Sequence, residues 1–124
     1  MRILVVEDDE EFAYLVRITL QNEGYQVVTA ANGRLALEYL DAAPSDQKPD
    51  LVVMDLMMPE MDGIQALRAL KASEATAHIP VLMLTAVDKD DNVLQAWKTG
   101  VDYYLTKPLD PSDLVACIKS LFED

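Results

Sequence analysis

Little in this sequence can be cross-linked, threaded through a bilayer or drawn onto a polyanion. The single cysteine, Cys117, excludes an intramolecular disulfide and suits a reducing compartment. Four glycines and six prolines in 124 residues are too few for a disordered or low-complexity chain, and 51% apolar residues supply a core. The longest uncharged apolar stretch, IPVLMLTAV at residues 79 to 87, is about half the ~18 residues that a membrane span requires. The opening MRILVVEDD has one basic residue and then acids, so neither a signal nor a transit peptide is expected. Basic residues number 10 against 22 acidic ones, giving a net charge of −12. A face that grips nucleic acid normally carries the opposite sign, so no direct nucleic-acid binding by this chain is expected. These absences predict one cytoplasmic, soluble domain spanning residues 1 to 124, with no membrane contact.

What is present is an alternation of two patterns. Short apolar runs occupy residues 3–6, 27–30, 51–54, 81–84 and 103–105. They are unbroken rather than alternating, as parallel strands covered on both faces require. Helical spacing fills the gaps. A first helix is expected over residues 10–22, with Phe12, Leu15, Val16 and Leu20 inward and Gly24 as its stop. A second begins after Asn32-Gly33 and turns Ala36, Leu37 and Leu40 inward, and a third follows Asp62 with Ile64, Leu67 and Leu70. A fourth runs from near Asp88 to Gly100 with Val93, Leu94 and Trp97 inward. The fifth has Asp110 as N-cap and Pro111 at its first position, with Leu114, Ile118 and Leu121 as a stripe beside Cys117. DAAPSDQKPD, residues 41 to 50, reads as the one substantial loop. Five strands alternating with five helices predict an α/β three-layer sandwich around a doubly wound parallel sheet. Ligands of such folds sit at the carboxyl ends of the strands, where the strand order reverses.

The strand ends therefore carry the functional information. The first strand ends in Glu7-Asp8 with Asp9 beyond, the third in Asp55, the fourth in Thr85-Ala86 and the fifth in Lys107-Pro108. Each has an ordinary structural reading: helix N-terminal acids for Glu7, Asp8 and Asp9, a turn cap for Asp55, surface charge for Lys107. Yet Asp55 lies between the apolar runs LVVM and LMM, where a carboxylate is costly unless charge or hydrogen bonds compensate it. If these strands are neighbours, three carboxylates, a hydroxyl and an ammonium meet on one rim, while the other end of the sheet offers no such set. Oxygen-only ligation points to a hard cation, Mg²⁺ or Mn²⁺. A hydroxyl and an ammonium beside it suit a phosphoryl group. Neither GxxxxGK[ST] nor GxGxxG occurs, so the phosphoryl group must arrive on a donor, with Asp55 as nucleophile forming an acyl phosphate.

The segments ILVVEDD, VVMDLMMPEMDG, VLMLTA and GVDYYLTKP, in this order and spacing, make the chain similar over essentially its whole length to the receiver domains of two-component response regulators. The resemblance implies the flavodoxin-like strand order 2-1-3-4-5. It implies Asp55 as phosphoacceptor, served by a histidine kinase or a histidine phosphotransfer protein. Asp8 matches a direct Mg²⁺ ligand, Glu7 an acid that holds metal through water, and the backbone carbonyl of Met57 a third protein oxygen. Lys107 matches the active-site lysine, Thr85 the switch hydroxyl and Tyr104 the aromatic that swings inward with it. Ala86 leaves room for the phosphate, and Pro108 matches a proline usually preceded by a cis bond. Met57 and Val87 fill the two variable positions flanking the phosphoryl group, and neither can orient or deprotonate a water, which implies slow self-dephosphorylation. Such a domain catalyses its own phosphorylation rather than turning over an external substrate. Its output surface is formed by the fourth helix, fifth strand and fifth helix, read by a downstream protein target or a fused output domain. Phosphorylation-dependent homodimerisation through that face belongs to the same expectation.

Rival readings fail at particular residues. Asp55-Leu56-Met57 lacks the second acid of the DxD that follows a strand in Mg²⁺-dependent nucleic-acid-processing folds and of the DxDx[TV] of haloacid-dehalogenase-like phosphatases. A pseudo-receiver, a phosphorylation-independent binding module, would ordinarily have lost Asp55, Lys107 or the acid pair, and all are present. His78 is assigned no role, and Tyr103 is a candidate for an exposed partner contact.

Overall fold

A computed structural model describes residues 1–55, 63–85, 100–106 and 110–122 of the chain. Five parallel strands, β1 (Arg2–Val6), β2 (Gln26–Ala30), β3 (Leu51–Asp55), β4 (Val81–Thr85) and β5 (Tyr103–Thr106), pair in the order β2-β1-β3-β4-β5. Four described helices flank them: α1 (Glu10–Asn22), α2 (Gly33–Ala42), α3 (Gly63–Ala72) and α4 (Pro111–Phe122). The expected fourth helix, from near Asp88 to Gly100 with Trp97, lies outside the described residues except for Gly100. The fold is the expected flavodoxin-like sandwich.

Period-two alternation along the strands produces two separate cores. Leu4, Val6, Val52, Met54, Val81 and Met83 pack on one face against Ala36 and Leu40 of α2 and Ile64, Leu67 and Leu70 of α3. Ile3, Val5, Leu51, Val53, Leu82 and Leu84 face the other way, against Val16 and Leu20 of α1 and Leu114, Cys117 and Ile118 of α4. Both faces are covered, which is why the central runs are unbroken. The outer strands β2 and β5 are only half-buried, as strands with one neighbour must be. Burial among these side chains pushes the Cys117 thiol pKa up.

Local signals set the element ends. Asp9 caps α1, its carboxylate accepting from the N–H of Glu11 and of Phe12, and Asn32 caps α2 by accepting from Leu35 N at 2.8 Å. The α1 helix stops at Gly24, whose φ of +91° is the left-handed conformation that glycine adopts without a Cβ clash. Two expectations are corrected. Leu15 is 43% exposed rather than inward; at 3.6 residues per turn it lies roughly a third of a turn off the Phe12, Val16, Leu20 stripe. The loop expected over residues 41–50 is shorter, because α2 continues to Ala42 and Ser45–Gln47 forms a 3-10 turn.

Candidate functional site

The strand order reverses between β1 and β3, the two strands on either side of the switch point. Their register pairs Val5 with Val53 and Val6 with Met54. Continued by one residue, it sets Glu7 beside Asp55. Glu7 is held at the strand exit by its own N–H, which donates to Ala30 O of β2 at 3.0 Å. Glu7 and Asp55 are 3% and 5% exposed, among the three buried polar residues described, whereas Asp8 is exposed. Carboxylate oxygens of Glu7, Asp8 and Asp55 all lie within 4.8 Å of one another. Two ionised carboxylates at such a separation repel by on the order of 3 kcal/mol at an effective dielectric of about 20.

Three hard oxygen donors, two of them buried and none accompanied by His or Cys, fit a divalent cation of the Mg²⁺ or Mn²⁺ type. The three acids of the EDD stretch divide by role. Glu7 and Asp8 turn into the cluster, while the Asp9 carboxylate accepts from Glu11 N at 3.0 Å and Phe12 N at 3.2 Å. Only Asp9 therefore matches the helix-cap reading. An open groove of about 350 Å³ leads from Glu7 and Asp8 past Tyr14 and Arg17, with the Arg17 guanidinium stacked 5.1 Å from the Tyr14 ring centroid.

Thr85 ends β4, and its backbone pairs in register with Thr106 of β5. Tyr104, on β5, is half-buried against the α2/α3 core, and Tyr103 beside it is 43% exposed. Met57, Ala86, Val87, Lys107 and Pro108 lie outside the described residues, as does the Thr85 side chain. His78 is exposed. Sequence reasoning had not found the hydrogen bond from Asp9 N to Glu7 Oε2, 3.1 Å, which ties the first acid to the start of α1. Its signal was there: an aspartate directly preceding a helical stretch.

The fold and an acid cluster at the switch point define a class of signalling domain, and the comparisons agree. The response regulator receiver domain family matches residues 3–119, and the chain belongs to that family. It is 39% identical over 119 residues to the phosphate regulon transcriptional regulatory protein PhoB of Pseudomonas aeruginosa, covering 96% of this chain and 50% of that protein. Response regulator PleD of Caulobacter vibrioides is 41% identical over 120 residues, covering 97% of this chain and 26% of PleD. Among solved structures, chemotaxis response regulator CheY4 of Vibrio cholerae superposes with a TM-score of 0.89 at 30% identity, covering 98% of both chains. The signal receiver domain of a signal transduction histidine kinase from Syntrophus aciditrophicus gives 0.87 at 35% identity, covering 97% of this chain and 88% of that one. The chain spans about half the length of PhoB and about a quarter of PleD. Among the described residues, no helix is long and apolar enough to cross a membrane.

Proposed function

We propose that this receiver domain accepts a phosphoryl group on Asp55 from a histidine kinase or a histidine phosphotransfer protein of a two-component system. The observation that carries the reading is the buried Asp55 carboxylate at the end of β3, within 4.8 Å of Glu7 and Asp8 oxygens. An Asp55 oxygen attacks phosphorus in line, the P–N bond of the donor phosphohistidine breaks, and its electron pair leaves on the imidazole, which takes up a proton. Glu7, Asp8, Asp55 and the Met57 carbonyl would hold Mg²⁺, or Mn²⁺ in its place, which when bound neutralises phosphoryl charge. Lys107 contributes a second positive charge, and Ala86 and Pro108 border the phosphate. Thr85 then donates to a phosphoryl oxygen, and Tyr104 moves into the space its loop vacates. That shift alters the surface of the 88–100 segment, β5 and α4 for a downstream target, a fused output domain or a second copy. The cytoplasm, where such kinases phosphorylate their partners, is the compartment this reading requires.

Intact mass after incubation with Mg²⁺ and acetyl phosphate tests it. One added phosphoryl group is expected, absent in chelator and absent from Asp55→Asn; uptake by Asp55→Asn would overturn the assignment, and none by any form would leave a receiver that demands its cognate kinase or a pseudo-receiver, which Mg²⁺ titration by Trp97 fluorescence would separate. Slow hydrolysis follows from Met57 and Val87, which offer a water neither an acceptor nor a base. Replacing Met57 with Asn and Val87 with Glu should shorten the phosphorylated lifetime, and an unchanged lifetime would sink that idea.

A further inference from the structure

The cluster has one buried member with a longer arm than a short rigid site needs. Glu7 carries three rotatable side-chain bonds where an aspartate would carry two, so its carboxylate must be held to serve as a ligand. One holding group is the Asp9 N–H, 3.1 Å from Glu7 Oε2. Asp9 is itself locked. Its carboxylate accepts from the Glu11 and Phe12 amides, and its carbonyl accepts from Ala13 N at 2.9 Å. Phe12 in turn packs against the α1/α4 core. A continuous path thus runs from packed core to helix cap to an amide that donates to the first acid.

We infer that Asp9 is a positioning residue for the acid cluster: capping α1 with its side chain, it fixes the backbone N–H that orients the Glu7 carboxylate. The inference rests on the cation reading proposed above. It also accounts physically for glutamate at position 7, since the longer arm reaches both the cluster and an amide two residues on. Outer groups that orient a ligand are worth about 10–100-fold in metal affinity.

Calorimetric Mg²⁺ titration of the full chain tests it with four variants. Asp9→Ala and Asp9→Asn both remove the charge, but only Asn keeps a capping oxygen, so their ratio isolates the hydrogen bonds. Asp9→Ala is expected to bind about tenfold more weakly than Asp9→Asn. Asp9→Gly also lacks the oxygen but costs a helix start only a few tenths of a kcal/mol, so it should bind like Ala even if Ala folds poorly. Lys48→Ala loses bonds to Leu40 O and Ala43 O at the far end of the sheet; it should lower the melting temperature and leave Mg²⁺ affinity unchanged. Equal affinities for Asp9→Ala, Asp9→Gly and Asp9→Asn would overturn the positioning role, as would an equal loss in Lys48→Ala. A wild-type chain that takes up no Mg²⁺ would overturn the cation reading and this inference together. Binding by wild type with no difference among the Asp9 variants removes this inference alone.

Discussion

The two ends of the sheet handle charge in opposite ways. At the amino ends of the strands, Lys48, Lys71, Asp50 and Asp102 are each set against a backbone group or a partner of opposite sign. Lys48 Nζ donates to Leu40 O at 2.7 Å and Ala43 O at 2.9 Å, satisfying carbonyls left over where α2 stops. Lys71 Nζ donates to Ile79 O at 3.0 Å and Ala77 O at 3.3 Å, and lies 3.7 Å from Asp102 Oδ2. Asp102 Oδ2 accepts from Val81 N at 2.8 Å, and Asp50 Oδ2 from Arg2 N at 2.9 Å, where β4 and β1 begin. At the carboxyl ends, three carboxylates of one sign gather within 4.8 Å. One end cross-links the layers through such contacts, while the other gathers oxygen donors of the kind a divalent cation would need. The stabilising contacts and the proposed site thus lie at opposite poles of one sheet.

The contrast can be broken by neutralising one group at each pole. The largest effect is expected for Glu7→Gln, which should weaken Mg²⁺ binding by about 10–100-fold, and an unchanged affinity would deny Glu7 a place in the cation site. Lys71→Met should behave inversely. It removes a charged donor from two carbonyls and should cost roughly 1–3 kcal/mol in denaturant unfolding, with Mg²⁺ affinity unchanged. A loss of Mg²⁺ affinity there would show the poles to be coupled. The smallest effect concerns Asp110, an acid at the rim side that is satisfied locally. The Ser112 hydroxyl, and then the Ser112 N–H, hold its carboxyl below the usual carboxylate range. A lowered folded pKa means stability present above the unfolded value and lost as pH falls through the folded one. Asp110→Ala should therefore flatten the acid limb of the stability curve slightly, and an unchanged acid limb would deny that coupling.

Much of this was legible in the residues because the signals are local. The strands appear within a residue of the apolar runs, and α1 spans residues 10–22 as its spacing and its Gly24 stop require. Pro111 opens α4 directly after Asp110. Leu15 was misplaced because an apolar residue one position outside a stripe reads as part of it, and only packing distinguishes the two. The end of α2 was underestimated because Pro44 marks a limit without saying where the last turn closes. The resemblance separated Glu7 and Asp8 from Asp9, but composition alone did not, since three consecutive acids look alike until one of them meets free helix N–H groups.

The residue order by itself determined the alternation of strands and helices, their caps, and which residues end each strand, because those depend on neighbours a few positions apart. It also held the family motifs. The order that sets β1 against β3 followed from the resemblance, but only the tertiary structure set Val6 opposite Met54 and so brought carboxylate oxygens of Glu7, Asp8 and Asp55 within 4.8 Å of one another. Strand pairing joins segments far apart in the chain, and its register follows from two buried faces packing at once. The acid cluster is a product of that pairing.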